Sequence, residues 1–340
     1  MTNVHINASK SYDVTVGRGI LPRIGEEAAK LFPPCKVVIV SGEKVFPLYG
    51  ETLRKSLEDA GFEVLCFIHE SGEGAKSLET YGRLLNFLCE NRLSRTDAVF
   101  ALGGGVTGDL AGFAAATYQR GVTFVQIPTT LLAAVDSSVG GKTAINLPAG
   151  KNQAGAFYQP SAVFCDPDLL GTLPPEEYRC GCAEVIKYAV LGDAEFFDFL
   201  EERGIRENEE KVIAHCVKMK RDIVEEDEFD RGARKFLNLG HTIGHAVERC
   251  SDFSVSHGDA VAIGLAAVMR GNPDEERVVS LLKEYSLPTE CPFGEDEIIE
   301  ACMADKKIEH GVLQLIVPER IGKCGIVPTE IAELKSLLEK

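Results

Sequence analysis

Short β-rich runs that alternate with amphipathic helical stretches set what the first half of this chain can fold into. The runs lie at Tyr12–Val16, 36–41, 63–68, 97–102, Thr123–Pro128 and Ala162–Cys165. Between several of them lie the stretches 20–32, 48–60 and 78–91; in the last, Leu78, Tyr81, Leu84, Leu85 and Leu88 recur at helical spacing. Strand–helix–strand alternation predicts an α/β fold, a Rossmann-like, mostly parallel sheet with helices on its faces. Nucleotides are commonly bound at the carboxyl edge of such sheets.

The texture changes at Leu173-Pro174-Pro175. Beyond it the periodicity predicts helices over 177–190, Glu209–Glu226, 236–250, 259–270, 273–285 and 296–304, a hairpin pairing 312–317 with 324–327, and a closing helix over 329–338. The expected division is therefore an N-terminal sheet domain, 1–172, and a mainly α-helical domain, 173–340, with the cleft between them as the default site. Lys and Arg number 36 against 52 Asp and Glu, a net charge of −16, which argues against nucleic acid or an anionic membrane as partner. No run reaches the roughly 18 apolar residues of a membrane helix, and the first residues lack the features of a signal peptide. Eleven cysteines with no Cys-x-x-Cys read as reduced thiols, which implies a cytoplasmic protein.

Two glycine-rich segments carry chemistry. Gly103-Gly104-Gly105-Val106-Thr107-Gly108-Asp109 follows an apolar strand and opens a small-residue helix over 110–117, so its amides can face a phosphate. It is not the ordinary dinucleotide fingerprint, because it follows about the fourth strand and no acidic residue stands about 20 positions on. Asp136-Ser137-Ser138-Val139-Gly140-Gly141-Lys142-Thr143 ends like a phosphate-binding loop, but Asp occupies the position where glycine is required. It suggests a polar small-molecule site, not ATP hydrolysis.

His241 and His245, at i and i+4, share one helix face. Thr242 stands where a zinc protease carries its glutamate, which disfavours a protease. With His257 and Glu184 they offer three histidines and a carboxylate; two histidines with one carboxylate make a catalytic zinc arrangement, and spacing leaves open which histidine binds and which moves protons. Cys180 and Cys182 read as packing thiols, and His5, His69, His215 and His310 as ordinary histidines without such context. Arg120, Lys142, Lys151, Lys187, Lys220, Arg234, Lys306 and Lys307 cluster in these segments of an otherwise acidic chain, which implies a small anionic substrate.

Together these segments resemble the 3-dehydroquinate synthase family of sugar phosphate cyclases, from about Tyr12 to Ile326. The resemblance also rests on Thr117-Tyr118-Gln119-Arg120-Gly121, Pro128-Thr129-Thr130-Leu131-Leu132, Gly150-Lys151-Asn152 and Asp305-Lys306-Lys307. It implies a lyase of the shikimate pathway, hence of aromatic amino acid biosynthesis, that uses NAD and Zn2+, with Co2+ as an alternative ion. Its substrate is a small anionic sugar-acid phosphate, 3-deoxy-D-arabino-heptulosonate 7-phosphate. That substrate is oxidised, loses phosphate, is reduced again, and closes to 3-dehydroquinate by an aldol step. The resemblance makes Glu184, His241 and His257 the metal ligands and His245 a non-ligand proton-transfer group. It assigns NAD to Ser71, Gly72, Glu73, Gly74, Ala75 and Lys76, to Gly105, Val106, Thr107, Gly108 and Asp109, to Thr129, Thr130, Lys142 and Lys151, and to Leu169, Leu170, Gly171 and Thr172. It assigns substrate to Asp136, Lys142, Asn152, Lys187, Lys220, Arg234, Asn238 and one of Lys306 or Lys307, and gives Arg120 to a neighbouring subunit of a homodimer.

The chain departs from the family at Ser41-Gly42-Glu43, where Thr with Asp or Asn is frequent and Glu43 takes over the adenosine ribose; the segment 268–273 is shortened, and Cys180 replaces a small serine. Three rivals stand beside the main reading: a cyclase of another sugar phosphate, a metal-dependent polyol dehydrogenase, and a non-catalytic NAD-binding protein. Arg234 and Asn238 favour a carboxylate-bearing substrate over the first. The set Lys151, Asn152, Lys187, Lys220 and Arg234 is more than the second needs, and an intact ligand trio with His245 argues against the third.

Overall fold

A computed structural model describes residues 1–303 and 313–338, and of residues 331–333 and 336 the backbone alone. The chain divides into two compact units, Met1–Leu173 with Glu210–Phe229, and Pro174–Glu209 with Asp230–Lys340. The first opens with β1 (Thr2–Ile6), β2 (Tyr12–Val16), α1 (Ile24–Leu31), β3 (Lys36–Gly42), α2 (Glu51–Asp59), β4 (Glu63–His69) and α3 (Leu78–Glu90). It continues with β5 (Ala98–Gly103), α4 (Gly105–Thr117), β6 (Thr123–Pro128), β7 (Lys142–Leu147), β8 (Gly150–Phe157) and β9 (Ala162–Cys165). The second holds α5 (Pro175–Gly192) and α6 (Ala194–Arg203). After α7 (Glu209–Glu226), which from Glu210 on belongs to the first unit, it resumes with α8 (His241–Cys250), α9 (His257–Val268), α10 (Glu275–Glu284), α11 (Glu295–Met303), β10 (Leu313–Arg320), β11 (Lys323–Thr329) and α12 (Ile331–Leu338).

The seven-stranded sheet runs β1-β2-β9-β6-β5-β3-β4, and every pairing in it is parallel except β1 with β2. All of β5 and six residues of β3 are buried, the near-continuous apolar runs expected of a parallel sheet covered on both faces. Alternate residues serve the two faces. Val37, Ile39, Phe100 and Leu102 join Ile24, Ala28, Leu53 and Leu57 in one core, while Val38, Val40, Val99 and Ala101 join Leu84, Leu88, Leu110 and Ala114 in the other. From β3 the chain passes to β4 on one side and to β5 on the other. The strand order therefore reverses between the carboxyl ends of β3 and β5, at Gly42 and Gly103, where open sheets bind ligands.

Several local expectations are corrected. β1 adds an antiparallel edge strand, and 142–157 forms a hairpin with Ala144 opposite Gly155. α4 begins at Gly105, and α6 occupies a stretch not expected to be helical. The helix expected from 236 is instead a 3-10 turn, Ala233–Asn238, broken at Gly240 (φ 75°) before α8 starts at His241. α7 joins the first unit through polar contacts: the Glu225 and Glu228 carboxylates accept the Asn7 and Ser9 amides at 2.6 and 2.8 Å, and Gln159 Nε2 donates to Glu228 at 2.9 Å. The C-terminal hairpin forms with Leu315 opposite Val327; its first expected residue, like Lys306, Lys307 and His310, lies outside the described residues. None of the eleven cysteines is joined in a disulfide, and among the described residues no helix is long and apolar enough to cross a membrane.

Candidate active site

In the first unit the glycine turn caps the carboxyl end of β5. Gly104 is the N-cap of α4 and offers no side-chain acceptor, so the helix's leading amides are left for an external one. Side chains are barred here: a Cβ on Gly103 would stand 2.4 Å from Thr107 Oγ1, and one on Gly108 2.6 Å from Gln126 Oε1. Across the turn Thr129 donates its amide to the Gly103 carbonyl at 3.0 Å. The buried Thr129 hydroxyl has no hydrogen-bond partner among the described residues. At the end of β3 the Glu43 carboxylate accepts the Ser71 amide at 3.2 Å.

The segment after β4 is strapped to the β7–β8 hairpin. Lys76 is buried, and its Nζ donates to Asp109 Oδ2 at 2.7 Å and to Asn152 Oδ1 at 2.5 Å. Asn146 donates its amide to the Lys76 carbonyl at 2.7 Å and its Nδ2 to Glu73 at 2.8 Å. Burial pushes the Asp109 carboxyl up, against the pull of Lys76. Lys220, buried on α7, donates to the Asp136 carbonyl at 2.7 Å and stands 3.0 Å from its carboxylate. Lys142 and Asn152 are exposed and Lys151 half-buried, whereas Leu169 and Leu170 are buried in their 3-10 turn and Gly171 and Thr172 exposed. Arg120 is exposed on a turn where Gln119 (φ 51°), Arg120 (φ 66°) and Gly121 (φ 121°) are all left-handed, a strained conformation of the sort found where side chains are presented for function.

The second unit gathers Glu184, His241 and His257. Glu184 lies midway along α5, while the two histidines are the first residues of α8 and α9. Glycines let these helices approach: a Cβ on Gly264 would stand 1.9 Å from the Gly240 carbonyl oxygen, and one on Gly258 2.3 Å from Cys180 Cα. His241 Nε2 and His257 Nε2 stand 3.3 and 3.4 Å from the same Glu184 Oε1. Behind the site, His241 Nδ1 donates to the Leu239 carbonyl at 3.0 Å, and His257 Nδ1 faces Glu248 Oε2 at 3.6 Å. Acceptors behind both rings turn each Nε2 toward the shared carboxylate, where a metal cation can take the place of a proton, the orientation of metal-binding histidines. The ligand atoms of these three residues lie within 4.8 Å of one another, as do those of the overlapping set His245, Glu248 and His257.

The electrostatics favour a cation. Burial pushes the Glu184 carboxyl up, but Lys187, at 2.5 Å, and the two histidines more than reverse this and hold it well below the usual carboxylate range. Burial lowers the His257 ring, yet Glu184 and Glu248 push it up to about 10. Lys187 also donates to the Leu237 carbonyl at 3.2 Å. Arg234 is wholly buried and Asn238 half-buried on the 3-10 turn before α8. His245 lies one turn beyond His241, with ring centroids 5.5 Å apart and 6.3 Å from that of His257. Buried Cys180 donates to Ser256 Oγ at 3.2 Å, and burial pushes the Cys182 thiol up, so both sit as packing thiols.

Family models described as 3-dehydroquinate synthase N-terminal and C-terminal match residues 66–180 and 181–308. A 3-dehydroquinate synthase of Streptococcus mutans is 40% identical over 97% of this chain and 98% of its own length. The chain belongs to the 3-dehydroquinate synthase family. Two solved cyclases share its architecture at lower identity. A 2-deoxy-scyllo-inosose synthase complexed with carbaglucose-6-phosphate, NAD+ and Co2+ is 26% identical, with TM-score 0.89 over 99% of both chains. The 2-epi-5-epi-valiolone synthase of Streptomyces hygroscopicus, with NAD+ and Zn2+ bound, is 28% identical, with TM-score 0.88 over 98% of both.

Two residues of this family member escaped the sequence reading: Glu248, whose Glu-Arg context on an amphipathic helix gives no sign of burial, and His69, which the structure sets beside the glycine turn. Because Glu248 backs His257, Glu248→Gln should weaken metal binding about 10–100-fold, the usual cost of losing such support. Metal-buffer titration checks this, and unchanged affinity would reduce Glu248 to a helix-packing residue.

Proposed function

We infer that this chain is a lyase that converts 3-deoxy-D-arabino-heptulosonate 7-phosphate to 3-dehydroquinate and phosphate in the cytoplasm, as a homodimer. The observation that carries this is 40% identity to a 3-dehydroquinate synthase along nearly the whole chain, against 26–28% to cyclases of other sugars.

The residues present fit both cofactors. An uncapped helix start led by three glycines, beside a buried threonine hydroxyl in want of a partner, suits a pyrophosphate and its ribose. One carboxylate with two histidines, each backed by an acceptor, suits zinc or cobalt. When bound, NAD takes up and returns a hydride while the ion acts as a Lewis acid on substrate oxygens.

The chain's own groups bind, orient and move protons. Glu184, His241 and His257 hold the ion. The segment 71–76, the first turn of α4, Thr129, Thr130, Lys142, Lys151 and the stretch 169–172 hold NAD, with Glu43 on the adenosine ribose. Lys187, Arg234 and Asn238, with Lys220, Asn152, Asp136 and one of Lys306 or Lys307, neutralise and orient the substrate's carboxylate and phosphate. Arg120 serves the neighbouring subunit, and His245 carries the proton between substrate hydroxyls and solvent.

Substrate choice tests the reading. Phosphate should be released from 3-deoxy-D-arabino-heptulosonate 7-phosphate and not from glucose 6-phosphate, which has no carboxylate. Release from glucose 6-phosphate alone would make the chain a cyclase of another sugar phosphate.

A further inference from the structure

The first turn of α4 rests on a histidine that the chemistry above does not use. His69, the last residue of β4, is 3% exposed, and both its ring nitrogens are engaged. Nδ1 stands 2.7 Å from the Glu70 carbonyl oxygen and Nε2 3.0 Å from Thr107 Oγ1. A carbonyl can only accept, so Nδ1 carries the proton, Nε2 accepts, and the Thr107 hydroxyl donates. Burial, the largest influence, holds the ring below its ordinary range and so in this neutral form. Thr107 is itself buried in the first turn of α4, against Gly103. On its other side the ring reaches β3, where a Cβ on Gly42 would meet His69 Cε1 at 3.6 Å. One imidazole thus ties the carboxyl ends of β3 and β4 to the helix start at the switch in strand order.

We propose that His69 is a positioning residue for the dinucleotide: by accepting the Thr107 hydroxyl it fixes Thr107 and, with it, the amides of Gly105, Val106 and Thr107 that face the pyrophosphate. This rests on the reading that the turn takes NAD.

Removing one partner of a buried hydrogen bond strands the other, whereas replacing both with apolar groups of similar size relieves the penalty. The test measures NAD dissociation constants, by calorimetry, for the wild type, His69→Leu, Thr107→Val and the double variant, with thermal unfolding of the NAD-free proteins alongside. Each single change should weaken NAD about tenfold, and the double should bind no more weakly than either single, because both remove the same hydrogen bond. His69→Gln, whose amide oxygen can take the place of Nε2, should bind NAD within about threefold of wild type and also serves if the leucine variant fails to fold. Singles that bind NAD like the wild type, a double as weak as the two losses combined, or a glutamine variant as weak as leucine would overturn the proposal. A wild type that binds NAD with these outcomes sinks the role of His69 alone; one that takes up no NAD sinks the underlying reading with it.

Discussion

Alanine at position 257 should strip the divalent ion from the protein and abolish turnover while leaving the helix beneath it intact. α9 does not depend on the imidazole: Ser256 caps it by accepting the Asp259 amide at 3.2 Å, and the residues from Gly258 to Val268 other than Asp259 are buried. The ring instead completes the cation site on Glu184 Oε1 and links that site to Glu248. Without it Glu184 and His241 remain, short of the three protein ligands of a catalytic zinc site. The loss in metal affinity should therefore exceed the 10–100-fold expected when only a supporting hydrogen bond is removed. Elemental analysis of the purified variant, with circular dichroism to show that it folds, decides the matter. Full metal content in His257→Ala, with metal lost instead from Cys182→Ser, would move the site to the thiols.

His245→Ala should behave differently. Both histidines of α8 line one face, but His241 is the one aimed at Glu184, with its far nitrogen fixed on the Leu239 carbonyl. His245, a turn further on, is near enough to share the site and stands outside the set of Glu184, His241 and His257. Its loss should leave metal and NAD bound and lower turnover by about 10²–10⁴-fold, the range of general acid–base groups. A wild-type rate would leave it a packing histidine. Loss of the metal would select the overlapping set of His245, Glu248 and His257.

Much of this was legible in the residues because the sheet is parallel and buried on both faces, so that β3 and β5 appear as unbroken apolar runs. β1 escaped notice because an edge strand with Val4 and Ile6 as its only buried residues carries too short an alternation. The β7–β8 hairpin was hidden because Gly-Lys-Thr ends like a phosphate-binding loop and Gly-Lys-Asn carries no apolar alternation; the pairing shows that they share a ribbon. The attachment of α7 to the first unit rests on Glu225, Glu228 and Lys220, whose partners are up to 219 residues away and which no local pattern reveals. The same holds for the choice between His241 and His245. Spacing puts both on one face, and the Leu239 carbonyl that meets His241 Nδ1, just before the left-handed Gly240, leaves no mark in that spacing.

The proposed reaction takes up a hydride and gives it back on a substrate carrying both phosphate and carboxylate. It is tested most directly by following free phosphate and NADH absorbance together, with the metal-loaded protein, 3-deoxy-D-arabino-heptulosonate 7-phosphate, and NAD held far below the substrate concentration. The predicted result is many turnovers of phosphate per NAD while NADH stays flat. NADH formed in step with product from a simple polyol, with no phosphate released from the sugar-acid phosphate, would contradict it and make the chain a dehydrogenase.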